Sequence, residues 1–152
     1  MPIDDTDRRI LRQLQADPEE SVVILAARAG VTGATFARRV EKMRETGVIR
    51  AIHDQVNWQA LGYAVEVSLR FTLDKTEPRA FDEFTQAARG IPEVTEIQTF
   101  LGRVDVRLSV IAHDMAHYQQ IYRNQILALP HMADIEALMT VSTLHNDESL
   151  PL

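Results

Sequence analysis

Between Ala26 and Ile49 the chain reads AARAGVTGATFARRVEKMRETGVI, and Gly30 within it constrains the fold more than any other residue. It separates two helical patterns. The apolar run over 22–29 stops there, and glycine most readily takes the left-handed conformation that follows a helix C-terminus. Thr32 then stands where an N-cap hydroxyl is wanted, and Phe36, Val40 and Met43 recur at i, i+4 and i+7 before Gly47 ends the pattern. The spacing predicts two short helices on either side of a turn of about three residues. The second helix buries one apolar face and leaves Gly33, Ala34, Thr35, Ala37, Arg38 and Lys42 on its other sides.

Upstream, Ile10, Leu11 and Leu14 recur at helical spacing, with Asp4 and Asp7 placed for the orphan N–H groups of a first turn. A first helix over 5–16 follows, stopped by Asp17-Pro18 because proline cannot continue the ladder. Charge singles out the same region. Residues 28–50 carry six cationic and two anionic side chains, a net +4 in a chain whose formal net charge is −6. The first sixty residues balance nine against nine, whereas the remainder holds seven cations and thirteen anions. Such asymmetry suggests one part that meets a polyanion and one that does not.

A composition of 45% apolar and 25% charged residues is that of an ordinary globular chain. No apolar run approaches the roughly 18 to 20 residues that span a bilayer, and the acidic, polar start MPIDDTDRR lacks the pattern of a secretory signal. A cytoplasmic protein with no membrane partner is expected. The absence of cysteine excludes disulfides, thiol nucleophiles and thiolate-bound zinc.

The segment VIRAIHDQV reads as short β-structure, a wing or connecting strand, and places a domain boundary near residue 60. Beyond it, YAVEVSLRFTL alternates as a half-buried strand should, and residues 78–88, with Phe81, Phe84 and Ala88 at helical spacing, read as a helix. VTEIQTFL and VDVRLSVIA are two further strands joined through Gly102. Asp114 caps a helix carrying Met115, Tyr118, Ile121, Tyr122 and Ile126, and a last strand covers 135–144. The order β-α-β-β-α-β is that of a ferredoxin-like split βαβ unit. Its helices cover one sheet face. Apolar residues on both sides of the strands in places point to a second copy as the cover of the other face.

A three-helix head with Ala26-x-x-x-Gly30-Val31-Thr32, the Arg38-Arg39 pair, Gly47-x-Ile49, Leu61-Gly62, and Gly102-x-x-Asp105 between the central strands of the tail resembles the Lrp/AsnC family of transcription factors. The likeness covers roughly residues 3–143 and includes Asp4-x-x-Asp7-x-x-Ile10-Leu11. It implies an α+β protein: a winged helix-turn-helix over 1–60 joined to a ferredoxin-like regulation-of-amino-acid-metabolism domain over 61–152. It also implies dimers that assemble into octamers, and an amino-acid effector held between dimers. Two positions depart from the family pattern: Val106 stands where an aromatic residue usually follows the aspartate, and Glu41 where a basic or neutral residue is common.

On this reading the third helix enters the major groove of double-stranded DNA, with Thr32, Thr35, Arg38 and Lys42 at bases or phosphates and Arg39 and Arg44 flanking. Gly102 lets backbone approach a small molecule, Asp105 accepts from a ligand ammonium group, and Arg103 is a candidate for its carboxylate; the bland alternative is an ordinary hairpin turn. His113 and His117 are four apart, but a cap at Asp114 between them argues against a shared face and a metal site. No cofactor is implied. No Ser-His-Asp order, G-x-S-x-G, P-loop or G-x-G-x-x-G is present, so catalysis has no support. The competing readings are a metabolite-binding regulatory module acting on a protein partner, and a small enzyme using Asp105 and His113.

Overall fold

A computed structural model describes residues 2–50, 56–146 and 149–152. Three helices form the head: α1 (Asp5–Ala16), α2 (Val22–Ala29) and α3 (Gly33–Glu45). Each begins where a side chain satisfies first-turn N–H groups. Asp4 and Asp7 form a reciprocal capping box on α1, Ser21 accepts from Ile24 N, and Thr32 accepts from Thr35 N. Gly30 sits at φ 69° and Gly47 at φ 76°, both in the left-handed region. At Gly30 the reversal lets Val31 N–H donate to Ala26 O at 3.0 Å and turns the chain into α3. Ile10, Leu25, Ala26, Ala29, Phe36, Val40 and Met43 make the head's own core.

The strand expected over 48–56 is absent from its described part, since Val48 and Ile49 lie in bends after α3. Positions 51–55, on which the wing depended, lie outside the described residues.

The second unit runs in the order β1 (Val65–Leu73), α4 (Ala80–Arg89), β2 (Val94–Thr99), β3 (Val106–Ala112), α5 (Met115–Ile121) and β4 (Met132–Met139). Its sheet order is β2-β3-β1-β4, antiparallel throughout. β1 and β3 are the inner strands, and Val67, Leu69, Phe71 and Leu73 of β1 share one buried cluster with Phe84 and Ala88 of α4 and Tyr118 and Ile121 of α5. α5 continues into a π-helical turn, Tyr122–Ile126, in which Leu127 N–H reaches back to Tyr122 O. β4 begins three residues before its expected start, where His131 at φ 61° redirects the chain into the sheet. Of the apolar residues at helical spacing on α4, Phe84 and Ala88 are buried and Phe81 is exposed.

The sheet's other face also differs from expectation. Because alternate residues point oppositely, the buried set on β1 leaves Glu66, Ser68, Arg70 and Thr72 there. They neighbour Ser109 and Arg107 on β3, and Leu138, Glu136 and Asp134 on β4. Arg70 pairs with Glu136, and Arg107 with Glu96 and Gln98. This face is mostly polar and cross-linked by charge. Among the described residues its apolar members on β1, β3 and β4 are Ile111 and Leu138.

The chain forms two compact units: the described residues of Met1–Gln55 with those of His145–Leu152, and Val56–Leu144. A division at residue 60 with everything beyond it in the second unit therefore differs from this grouping at both ends. The last residues belong with the head because Gln15 and Arg12 of α1 hydrogen-bond the main chain at Leu150 and Leu152.

Candidate nucleic-acid interface and effector site

In α3 the buried stripe Phe36, Val40 and Met43 faces the head's core, so the periodicity of 3.6 residues turns Ala34, Arg38, Glu41, Lys42 and Glu45 outward. Thr32 and Thr35 open the helix, with the Thr32 hydroxyl donating to Thr35 Oγ1 at 3.0 Å. Arg38 and Lys42, one turn apart, are both exposed, and among the described residues neither forms an ion pair. Arg44 is tied to Glu41 at 3.7 Å. The outer face of α3 thus carries two cations outside any ion pair, Arg38 at mid-helix and Lys42 in the last turn, with the Thr32 and Thr35 hydroxyls at the helix start, the side-chain types that contact phosphates.

Arg39 is placed elsewhere. Its guanidinium lies against α1, with one nitrogen, Nη1, donating to Asp4 Oδ2 at 2.6 Å and to Asp7 Oδ1 at 2.8 Å. Asp7 is 1% exposed, so the pair is drawn into the head. The Asp7 and Asp4 carboxylates hold the Arg39 guanidinium above its ordinary pKa. The backbone N–H of Asp7, and then Arg39, lower that of Asp4. Arg39 is thus not brought to the face of Arg38 and Lys42; it fastens the third helix to the first. The signal was present in the sequence as Asp4-x-x-Asp7. It reads equally well as a helix cap, which it also is.

Gly102 and Arg103 lie exposed in the β2–β3 hairpin, with Phe100 and Leu101 beside them. Gly102 has no positive φ, and a Cβ there would meet nothing within 4 Å among the described residues, so none of their backbone approaches it closely. Asp105 is 3% exposed and fully engaged. Its N–H donates to Phe71 O at 2.8 Å, Oδ2 accepts from Leu73 N at 2.9 Å, and Oδ1 lies 3.5 Å from Lys75 Nζ. The hairpin is further tied down by the Thr72 hydroxyl, which donates to Arg103 O at 3.0 Å. A primary ammonium therefore already stands beside Asp105, and it belongs to Lys75. Sequence reasoning missed Lys75, Leu73 and Thr72, because only the β1–β3 register brings them to the hairpin. Val106 is buried opposite Phe71 in the core and does not wall the turn.

Two surface concavities, of about 330 Å³ beside Gln119, Arg123 and Asn124 and about 510 Å³ beside Arg79, Asp82 and Gln86, are not lined by Gly102, Arg103 or Asp105. His113 and His117, expected on different faces, stack with centroids 5.2 Å apart, and Tyr63 stacks on His113 at 4.0 Å. His113 is bound to Gly62 O and His117 to His113 N–H, so the rings are committed to packing. Among the described residues no group of three or more His, Cys, Asp or Glu is arranged to hold a metal, and no helix is long and apolar enough to cross a membrane.

The chain matches the AsnC-type helix-turn-helix domain over residues 3–44 and the Lrp/AsnC ligand binding domain over residues 66–150. It is 33% identical over 147 residues to the proline dehydrogenase transcriptional activator of Rhodobacter capsulatus, covering 97% of this chain and 96% of the relative. The crystal structure of an AsnC family transcriptional regulator from Agrobacterium tumefaciens superposes with a TM-score of 0.87 at 28% identity, over 97% and 96% of the two chains. A transcriptional regulator from Neisseria meningitidis, solved as its L-Met complex, shares the fold with a TM-score of 0.90 at 21% identity, over 99% and 97%. With both halves matched and a relative aligned along nearly its whole length, the chain belongs to the Lrp/AsnC family of transcriptional regulators, an AsnC-type helix-turn-helix joined to a ligand-binding domain.

Proposed function

We propose that this regulator reads double-stranded DNA through the outer face of α3, with Arg38 and Lys42 at phosphates or base edges and Thr32 and Thr35 at the helix start, and that an amino acid modulates this binding. The observation that carries the reading is the pair of uncommitted cations on α3, set opposite its buried stripe while the neighbouring Arg39 is spent on α1. A recognition helix presents one face to the major groove, led by its N-terminal residues; Thr32, Thr35 and Arg38 stand in that half of α3 and Lys42 extends the same side to the last turn. The L-Met complex of the Neisseria relative supports an amino-acid effector. The Asp105 carboxylate, already facing the Lys75 ammonium, has the chemistry to take a ligand ammonium in its place, with Arg103 beside it for a carboxylate.

The protein acts in the cytoplasm, as a regulator and not as an enzyme, and as a homo-oligomer of dimers up to octamers. Support for assembly comes from the apolar side chains left exposed on the second unit, Phe100 and Leu101 on the hairpin and Leu138, Met139 and Val141 at the end of β4. The effector acts by preferring one arrangement of heads, and its differential affinity bounds the shift it can cause. A module for a protein partner gains nothing from an N-terminal match to a DNA-binding domain.

Selection of bound fragments from genomic DNA supplies the operator for the decisive measurement. On that fragment, Arg38→Ala and Lys42→Ala should each lower the magnitude of the logarithmic salt slope, by about 0.9 for every phosphate that the variant no longer neutralises. Unchanged slope and affinity in both variants would remove α3 from the interface.

A further inference from the structure

Gln15 and Arg12 lie one turn apart on α1, and both are bound to the end of the chain. The Gln15 side-chain amide reads both main-chain groups of one residue: Leu150 N donates to Oε1 at 2.8 Å, and Nε2 donates to Leu150 O at 3.3 Å. Arg12 Nε donates to Leu152 O at 2.7 Å. A tight turn, with Leu152 N donating to Leu150 O at 2.9 Å, brings residues 150 and 152 together against α1. Pro151 fixes one backbone angle between them and lowers the entropy lost on docking. Recognition by main-chain groups needs no particular side chain, and a weak attachment suffices because the segment is tethered at high effective concentration.

We infer that residues 149–152 form a strap that docks on α1 of the DNA-binding head and carries the effector response to α3. The chain leaves the head after α3 and returns to it after β4, whose last sheet bond is Thr140 N to Glu66 O. The head is therefore joined to the ligand-binding unit twice, once by the linker and once by the strap. Inside the head the path is short: the strap holds Arg12 and Gln15 of α1, and Asp4 and Asp7 at the start of α1 hold Arg39 of α3. Docked and released are the two states whose balance a ligand can bias, which is what coupling between distant sites requires. This inference rests on the DNA-binding and amino-acid readings given above and adds the route between them.

Two measurements test it on the full chain. Because the protein has no cysteine, Gln15→Cys with Leu150→Cys gives a single reactive pair, and a bismaleimide should join it within one chain, migrating as monomer on a denaturing gel. In the second, DNA affinity of wild type and of the double variant Gln15→Ala/Leu150→Pro is titrated with each of the twenty L-amino acids. Leu150→Pro removes the N–H that Gln15 accepts. The wild type should shift by about fivefold or more with at least one amino acid, and the variant by less than about twofold. The variant should retain its basal DNA affinity and its calorimetric binding of that amino acid. A product joining two chains, or no product, overturns the docking. A variant that responds as wild type does overturns the coupling. A wild type that binds no DNA, or answers none of the twenty, overturns the underlying functional reading and the coupling with it, and the cross-link still decides whether the strap docks.

Discussion

Arg38 and Arg39 are neighbours with one chemistry and two tasks, because successive residues on a helix point about 100° apart. Arg38 faces out; Arg39 reaches Asp4 and Asp7. Arg39→Ala would strand the nearly inaccessible Asp7 carboxylate without its cation, a type of loss that ranks among the costlier single changes. Thermal unfolding followed by circular dichroism should show a lowered midpoint, with the salt slope of any residual DNA binding unchanged. A slope reduced as in Arg38→Ala would return Arg39 to the interface. Asp105 presents the same duality. Asp105→Ala leaves Leu73 N–H without its acceptor and should destabilise the protein by about 1 to 3 kcal/mol in urea titrations, with or without ligand. Lys75→Met separates the ligand role from the structural one, since it vacates the carboxylate's ammonium partner while keeping the Leu73 bond. If a ligand ammonium takes that place, calorimetry should show effector affinity rising in Lys75→Met; a fall would assign Asp105 to the fold alone.

At the scale of elements, α4 and the start of β4 are joined by His131, whose Nε2 lies 2.6 Å from Glu83 Oε2. The His131 side chain, and then the nearby Arg79, hold the Glu83 carboxyl below its ordinary value of 4.5. A depressed carboxylate adds stability that is present above its unfolded pKa and is lost as pH falls through the folded one. The acid limb of stability should therefore flatten in Glu83→Gln, the difference between wild type and variant closing as pH falls below 4.5 and through the lowered Glu83 pKa in urea denaturation series. Curves that stay parallel throughout the acid range would show the pair to be inert. Helix boundaries in the head were legible because each is marked by a local device: Asp4, Ser21 and Thr32 at the starts, Gly30 and Gly47 beyond the ends. β4 was misplaced because its edges are set by pairing with β1, and the spacing of Phe81, Phe84 and Ala88 marked the helix without saying which of them meets the sheet.

Across the whole molecule, two cores with no shared residue stand in one chain, one built on Phe36 and Met43 and the other on Phe71 and Phe84. A fragment of residues 56–144 should fold alone, because its sheet, both helices and its entire buried cluster lie inside those limits. A cooperative unfolding transition and dispersed amide resonances would establish this; a fragment that stays unfolded would mean that the second core needs the head or the strap. Its polar sheet face gives a fragment no apolar reason to pair there, so its association state is to be read from sedimentation and not assumed from that face.

By itself the sequence determined the three-helix head, the β-α-β-β-α-β order and the cationic helix, since caps, breakers, periodicity and charge are properties of neighbours along the chain. Only the tertiary structure decided that Arg39 serves α1, that Lys75 stands beside Asp105, that the open sheet face is polar, and that residues 149–152 return to the head. Each of these joins residues far apart in sequence, and the direction of a side chain across such a distance is set by register and packing, on which the local pattern is silent.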